Sequence, residues 1–180
     1  MLGAWKARVA PFNVNYRYVG AELLHVIGNS DAEAVVYDPE FAPQVRELRS
    51  RLPAVKIWLE NAAPCLNEFS HALEDVVGSG NDAPLGNKRS GTDLYFMYTG
   101  GTTGVSKGAM LLHRNVIANL LQSEAWNDPV MKRVPVNEQP TSVCALPLYH
   151  IFAFTVNMML GMRTGSKNIL IPNPRDLPAV

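Results

Sequence analysis

Cysteine is scarce in this chain. Cys65 and Cys144 are the only two in 180 residues, and they form no C-x-x-C pair. That excludes a disulfide-stapled scaffold and leads us to expect a reduced, cytoplasmic setting. An excess of either charge is also missing, since sixteen Lys and Arg balance sixteen Asp and Glu. Neither nucleic acid nor a membrane surface is therefore an expected partner. No apolar run approaches the length of a transmembrane segment, and the residues from Met1 to Lys6 carry no long apolar segment of the signal-peptide kind. Internal repeats and low-complexity tracts are absent. His25, His71 and His113 show no metal-ligand spacing and are read as surface or packing residues. Two familiar phosphate-binding templates are missing as well. No Gly-Lys-Ser/Thr closes a Walker loop, and Thr99 stands where G-x-G-x-x-G would need its first glycine.

What is present suits a globular α/β domain. Apolar residues make up 47% of the chain and charged residues 18%, and the length suffices for one domain with a core. Val19, Leu23, Val26 and Ile27 share one helical face, so the spacing predicts a helix over 19–27. Ala34 to Tyr37 reads as a short buried strand. Residues 42–52 read as an amphipathic helix with Val45, Leu48 and Leu52 inward and Arg46, Glu47, Arg49 and Arg51 on a solvated face. Val55 to Leu59 reads as a strand, and Glu68 to Val77 as a helix. Glycine, proline and asparagine mark 78–92 as a loop. Further strands are expected before residue 98 and over 108–112, 142–146 and 167–171. Helices are expected over 114–126 and, apolar and mostly buried, over 151–162, with 128–140 a polar surface connection. Alternating strands and helices predict a largely parallel sheet with flanking helices.

The most unusual stretch is Tyr98-Thr99-Gly100-Gly101-Thr102-Thr103-Gly104-Val105-Ser106-Lys107-Gly108. It holds four glycines, three threonines and one lysine between two apolar runs. Glycine lets a ligand approach without meeting a Cβ. Successive backbone N–H groups in such a turn form an anion-binding nest. Threonine hydroxyls add neutral donors, and Lys107 adds a mobile positive charge suited to phosphate. The residues predict a loop between two strands that grips a polyphosphate. A bare hairpin turn would need neither the threonines nor the lysine.

This stretch resembles the phosphate-loop signature of the AMP-forming adenylating enzymes, which include acyl-CoA synthetases, firefly luciferase and peptide-synthetase adenylation domains. Their pattern is Tyr/Phe-Thr-Ser/Gly-Gly-Thr-Thr-Gly-x-Pro-Lys-Gly. The chain departs from it only at Ser106, where proline is usual. The loss of proline's fixed φ predicts a somewhat floppier loop. The run Pro11 to Arg17 is similar to the family's proline-rich entry to its first sheet region. Leu146-Pro147-Leu148-Tyr149-His150-Ile151-Phe152 is similar to a motif lining the nucleotide and acyl pockets. Asn168 to Asp176 resembles bacterial long-chain fatty acid–CoA ligases.

The resemblance implies an ATP-dependent acid–thiol ligase using magnesium and coenzyme A. A fatty or other carboxylic acid would become acyl-AMP and then acyl-CoA. It implies that Thr99, Gly100, Gly101, Thr102, Thr103, Gly104 and Lys107 hold the phosphates of ATP, with Thr102 also at the metal. It places His150 as the catalytic side chain near the acyl carboxylate and the α-phosphate. Taken alone, His150 would read as a core histidine satisfied by backbone. Met158 and Met159 read as core. The family's later motifs, a magnesium glutamate, a ribose aspartate and a C-terminal domain with its lysine, do not occur. Residues 1–180 are thus expected to be a fragment of the N-terminal adenylation domain, inactive alone. A non-catalytic truncated or split-gene product is the alternative, as is a luciferase-like or peptide-synthetase activator.

Overall fold

Val45, Leu48 and Leu52 recur at the spacing that puts them on one side of a helix, and all three are buried. They anchor the core of a unit formed by Val14–Asn87 and Tyr98–Ala109. The computed structural model describes residues 1–99 and 106–171; for residues 95–97 and 99 the description is of the backbone. In this first unit, a helix (α2, Gly20–Asn29) precedes strand β1 (Ala34–Tyr37). Helix α3 (Ala42–Leu48) follows, with 3-10 turns before and after it. Strand β2 (Ile57–Glu60) pairs in parallel with β1, Val35 opposite Trp58 and Tyr37 opposite Glu60. One face of the pair carries Tyr37, Trp58 and Glu60 into the interior, as the two-residue alternation of strands requires. Ile27, Ala42, Val45, Leu48, Leu52, Val55 and Trp58 complete that core.

The segment read as a helix over 68–77 is split. His71–Ala72 forms β3, parallel to β2, and helix α4 covers only Leu73–Gly78. Its cause is a buried polar network. Glu60 is fully buried and accepts the backbone N–H groups of Leu66 (2.9 Å) and Asn67 (3.2 Å) and the hydroxyl of Tyr37 (2.9 Å). Tyr37 therefore accepts from Asn67 Nδ2 (3.0 Å) and from the Ser70 hydroxyl (2.6 Å). Arg46, expected on a solvated face, donates to Asn67 Oδ1 (2.9 Å) and to the Leu66 carbonyl (3.0 Å). These bonds draw residues 66–70 onto the sheet, so the chain continues as a strand.

The second unit comprises Met1–Asn13, Lys88–Met97 and the described residues from Met110 onward. A short first helix, α1 (Leu2–Lys6), was not expected. Its Trp5 packs edge-on against Phe154, with ring centroids 5.6 Å apart, beside Val116, Met158 and Met159. Helix α5 (His113–Met131) runs five residues past its expected end and contains Pro129, so the surface connection begins only after it. Asn115 accepts the N–H of Leu112 at its start (3.0 Å). Strands β6 (Thr141–Cys144) and β7 (Lys167–Leu170) pair in parallel. Between them Ala153–Leu160 is π-helical and continues into α6 (Gly161–Thr164). Its Ala153, Phe154, Thr155, Asn157, Leu160 and Gly161 are buried as expected, and the exposed residues, Ile151, Phe152 and Met162, stand at the ends of the stretch.

Strands β4 (Leu94–Thr99) and β5 (Lys107–Leu112) are hydrogen-bonded to each other and contribute residues to both units. The described strands thus form three pieces, two of them parallel, rather than one sheet. Both cysteines are free thiols. No helix among the described residues is long and apolar enough to cross a membrane.

Candidate functional site

The glycine-threonine stretch joins two strands, as its composition predicts. Thr99 is the last residue of β4 and Lys107 the first of β5. Gly100, Gly101, Thr102, Thr103 and Gly104 lie outside the described residues, as does the stretch Pro172 to Asp176. Lys107 is exposed, and among the described residues it takes part in no ion pair. An exposed cation with no ion-pair partner among the described residues is open to an anionic ligand.

Residues on both sides of the segment are tied to α2, and Ser106 also to Tyr18, which precedes that helix. At the exit, Ser106 is half-buried, and its hydroxyl lies 2.7 Å from the hydroxyl of Tyr18. Its carbonyl lies 2.9 Å from His25 Nε2. A carbonyl only accepts, so Nε2 carries a proton there and donates. At the entry, the Tyr98 hydroxyl donates to Asn29 Oδ1 (2.9 Å). The Tyr98 ring also lies over Gly108, where an added Cβ would come 2.9 Å from Cζ. Gly108 is therefore glycine because a ring occupies the space a side chain would need. His25, read as a surface or packing residue, belongs to this arrangement. Neither it nor Tyr18 carries a local signal, because each meets a partner far along the chain.

His150 lies in the second unit, whereas Lys107 belongs to the first. Its N–H closes a turn onto the Pro147 carbonyl (2.8 Å), placing it just before the helical stretch that starts at Ile151. Its ring Nδ1 accepts the N–H of Phe152 (3.3 Å), one of the orphan donors at a helix start. Neutral imidazole then has its proton on Nε2, the nitrogen left to donate. The side chain is exposed, so His150 is not a core histidine.

The first unit also carries an open cleft of about 460 Å³ whose lining includes Cys65, Asn67, Ser70, His71 and Asp75. It contains none of the residues predicted from sequence. Burial pushes the Cys65 thiol up, and Glu60 and Asp75 push it further, so this cysteine is no activated nucleophile. Among the described residues no group of three or more His, Cys, Asp or Glu gathers as a metal would require. Thr102, the expected magnesium contact, falls outside them.

Over its whole length, residues 1–180, the chain matches the family of AMP-binding enzymes. It belongs to that family. The long-chain-fatty-acid–CoA ligase of Escherichia coli O157:H7 is 35% identical over 205 residues, an alignment covering 100% of this chain and 36% of that protein. The medium-chain acyl-CoA ligase Mig of Mycobacterium avium is 33% identical over 187 residues, covering 98% of this chain and 34% of its own. Among solved structures, ATP-bound MatB from Rhodopseudomonas palustris superposes with a TM-score of 0.74 at 25% identity, covering 96% of this chain and 32% of that one. The fatty acyl CoA synthetase of Mycobacterium tuberculosis superposes at 0.72 with 20% identity over 95% of this chain and 31% of that one, a likeness of fold. The chain thus spans about a third of the length of the relatives it matches. Ser106, which stands where the resembled pattern has proline, has its hydroxyl 2.7 Å from that of Tyr18.

Proposed function

We propose that the protein carrying this chain activates a fatty acid with ATP, releasing pyrophosphate, and passes the acyl group from AMP to the thiol of coenzyme A. The observation that carries the reading is the glycine-threonine segment that follows β4, with Lys107 at its exit, exposed and in no ion pair among the described residues. Membership of the AMP-binding family supports it, as do relatives named as fatty-acid and acyl-CoA ligases.

In this reading Thr99, Gly100, Gly101, Thr102, Thr103 and Gly104 supply N–H and hydroxyl donors to the phosphates. Lys107 neutralises charge on the β- and γ-phosphates as the bond from the α-phosphorus to the bridging oxygen breaks. The carboxylate oxygen forms the new bond to that phosphorus, and the electron pair leaves with pyrophosphate. The thiolate of coenzyme A then attacks the acyl carbon, and AMP departs with its oxygen. His150, with its proton on Nε2, donates to the acyl carboxylate or the adjoining phosphate. Magnesium, held at Thr102, would share the phosphate charge. The chain supplies the phosphate-gripping part of a larger adenylating enzyme, consistent with its spanning a third of its relatives.

Fatty-acid-dependent exchange of pyrophosphate into ATP tests this in the full-length protein. Lys107→Ala should lower the exchange by about tenfold or more. Exchange that is unchanged by the substitution overturns the phosphate role.

A further inference from the structure

Where the mobile charge of Lys107 can reach depends on the backbone beneath it, and the structure shows what holds that backbone. Ser106 is gripped twice, through its hydroxyl by Tyr18 (2.7 Å) and through its carbonyl by His25 Nε2 (2.9 Å). The carbonyl bond fixes the peptide plane between Ser106 and Lys107, which is rigid. The hydroxyl bond fixes the rotation of Ser106 about that plane. One turn further along the same helix, Asn29 receives the hydroxyl of Tyr98 (2.9 Å). His25 and Asn29 are four residues apart in α2, so they lie on one helix face about 5.4 Å apart along the axis. One face of α2 thus carries a partner for Tyr98 on one side of the segment and a partner for Ser106 on the other.

We propose that Tyr18 and His25 are positioning residues for Lys107, acting through Ser106, with α2 as the brace for both ends of the loop. The proposal rests on the reading of Lys107 as a phosphate ligand. It explains how serine serves at a position where the family pattern has proline. Proline would set its own φ by its ring. Serine leaves φ free, and two hydrogen bonds supply the restraint instead. Neither bond touches the reacting atoms, so the effect is on placement and not on chemistry.

The test is kinetic and uses the full-length protein in pyrophosphate exchange with ATP, magnesium and a fatty acid. Tyr18→Phe and Ser106→Ala should each raise the KM for ATP by about fivefold, the worth of one hydrogen bond. The KM for the fatty acid should not move, whereas a general loss of folded protein would lower kcat and leave both KM values alone. The double variant should be no worse than either single one. Ser106→Thr keeps the hydroxyl and should stay sensitive to Tyr18→Phe, and Ser106→Pro should make Tyr18→Phe silent. His25→Gln, whose amide can still donate to the Ser106 carbonyl, should lose less ATP affinity than His25→Leu. A Tyr18→Phe variant of unaltered melting temperature whose KM for ATP stays within about twofold of the parent overturns the proposal. So does a Tyr18→Phe effect that persists in full on the Ser106→Ala background. Lys107→Ala, run alongside, separates the two failures. If it leaves exchange intact, the phosphate reading itself is wrong; if it impairs exchange while Tyr18→Phe does not, only the brace is.

Discussion

At the scale of single residues, Glu60 shows how far position in the fold outweighs residue type. Glu60 follows the strand expected over Val55 to Leu59, yet it is the last residue of β2 and fully buried. Burial pushes its carboxyl up. The N–H of Leu66, the Tyr37 hydroxyl, the N–H of Asn67 and the charge of Arg46 push it down further, and the net result lies below the ordinary carboxylate range. The ionised form is thus favoured by folding. Its contribution is fully present above the ordinary carboxylate range and is lost as pH falls through that range toward the depressed value. Glu60→Gln should cost about 2 kcal/mol at pH 7, because an amide nitrogen replaces an acceptor facing buried donors. Urea denaturation checks this, and the gap between variant and parent should shrink at acid pH. A gap of equal size at both pH values would remove the carboxylate from the account.

At the scale of elements, the best-read helix was the one with the clearest apolar stripe. Val45, Leu48 and Leu52 are all buried as expected, although regular α-helix stops at Leu48 and a 3-10 turn carries the rest. Strand β1 occupies the expected residues because a run of β-branched and aromatic side chains is legible locally, but it is not the buried strand expected, since only Tyr37 is buried and Ala34 and Val36 are exposed. Strand β3 was not legible, since His71–Ala72 is a strand only through its pairing with β2. The β4–β5 pair makes a prediction of its own. Gly108→Val should drive a side chain into the Tyr98 ring, 2.9 Å from the would-be Cβ, and release its hydroxyl from Asn29. The cost should be about 2 kcal/mol in thermal or urea unfolding. A valine tolerated without loss would mean that the ring has room to move.

At the scale of the molecule, apolar strand faces are left open. In the β1–β2 pair, Ala34 and Ile57 are exposed opposite each other, and Val36 is 59% exposed on the same face. In the β6–β7 pair, Val143 and Ile169 are registered partners and both exposed. Open apolar strands invite association, and a net charge of zero at pH 7 does little to oppose it. A polypeptide of residues 1–180 alone should bind a hydrophobic dye and self-associate, and Val36→Thr with Ile57→Thr should reduce both. A monodisperse chain that leaves the dye dark would show these faces to be harmless.

The sequence by itself determined the α/β character, the position of the β1 strand, the apolar face of α3 and the family, whereas Val19, expected on the apolar face of α2, precedes that helix and is exposed. It also determined that a glycine-threonine segment with one lysine joins two strands. These depend on neighbours in the chain: periodicity, turn chemistry and a dense local motif. Only the tertiary structure decided that Glu60 and Arg46 organise residues 66–70, that His71–Ala72 is a strand, and that His150 is exposed before a helix. The same holds for Tyr18 and His25 on Ser106. In each case the partner is distant in sequence, and hydrogen bonding between distant residues leaves no periodic trace in the chain.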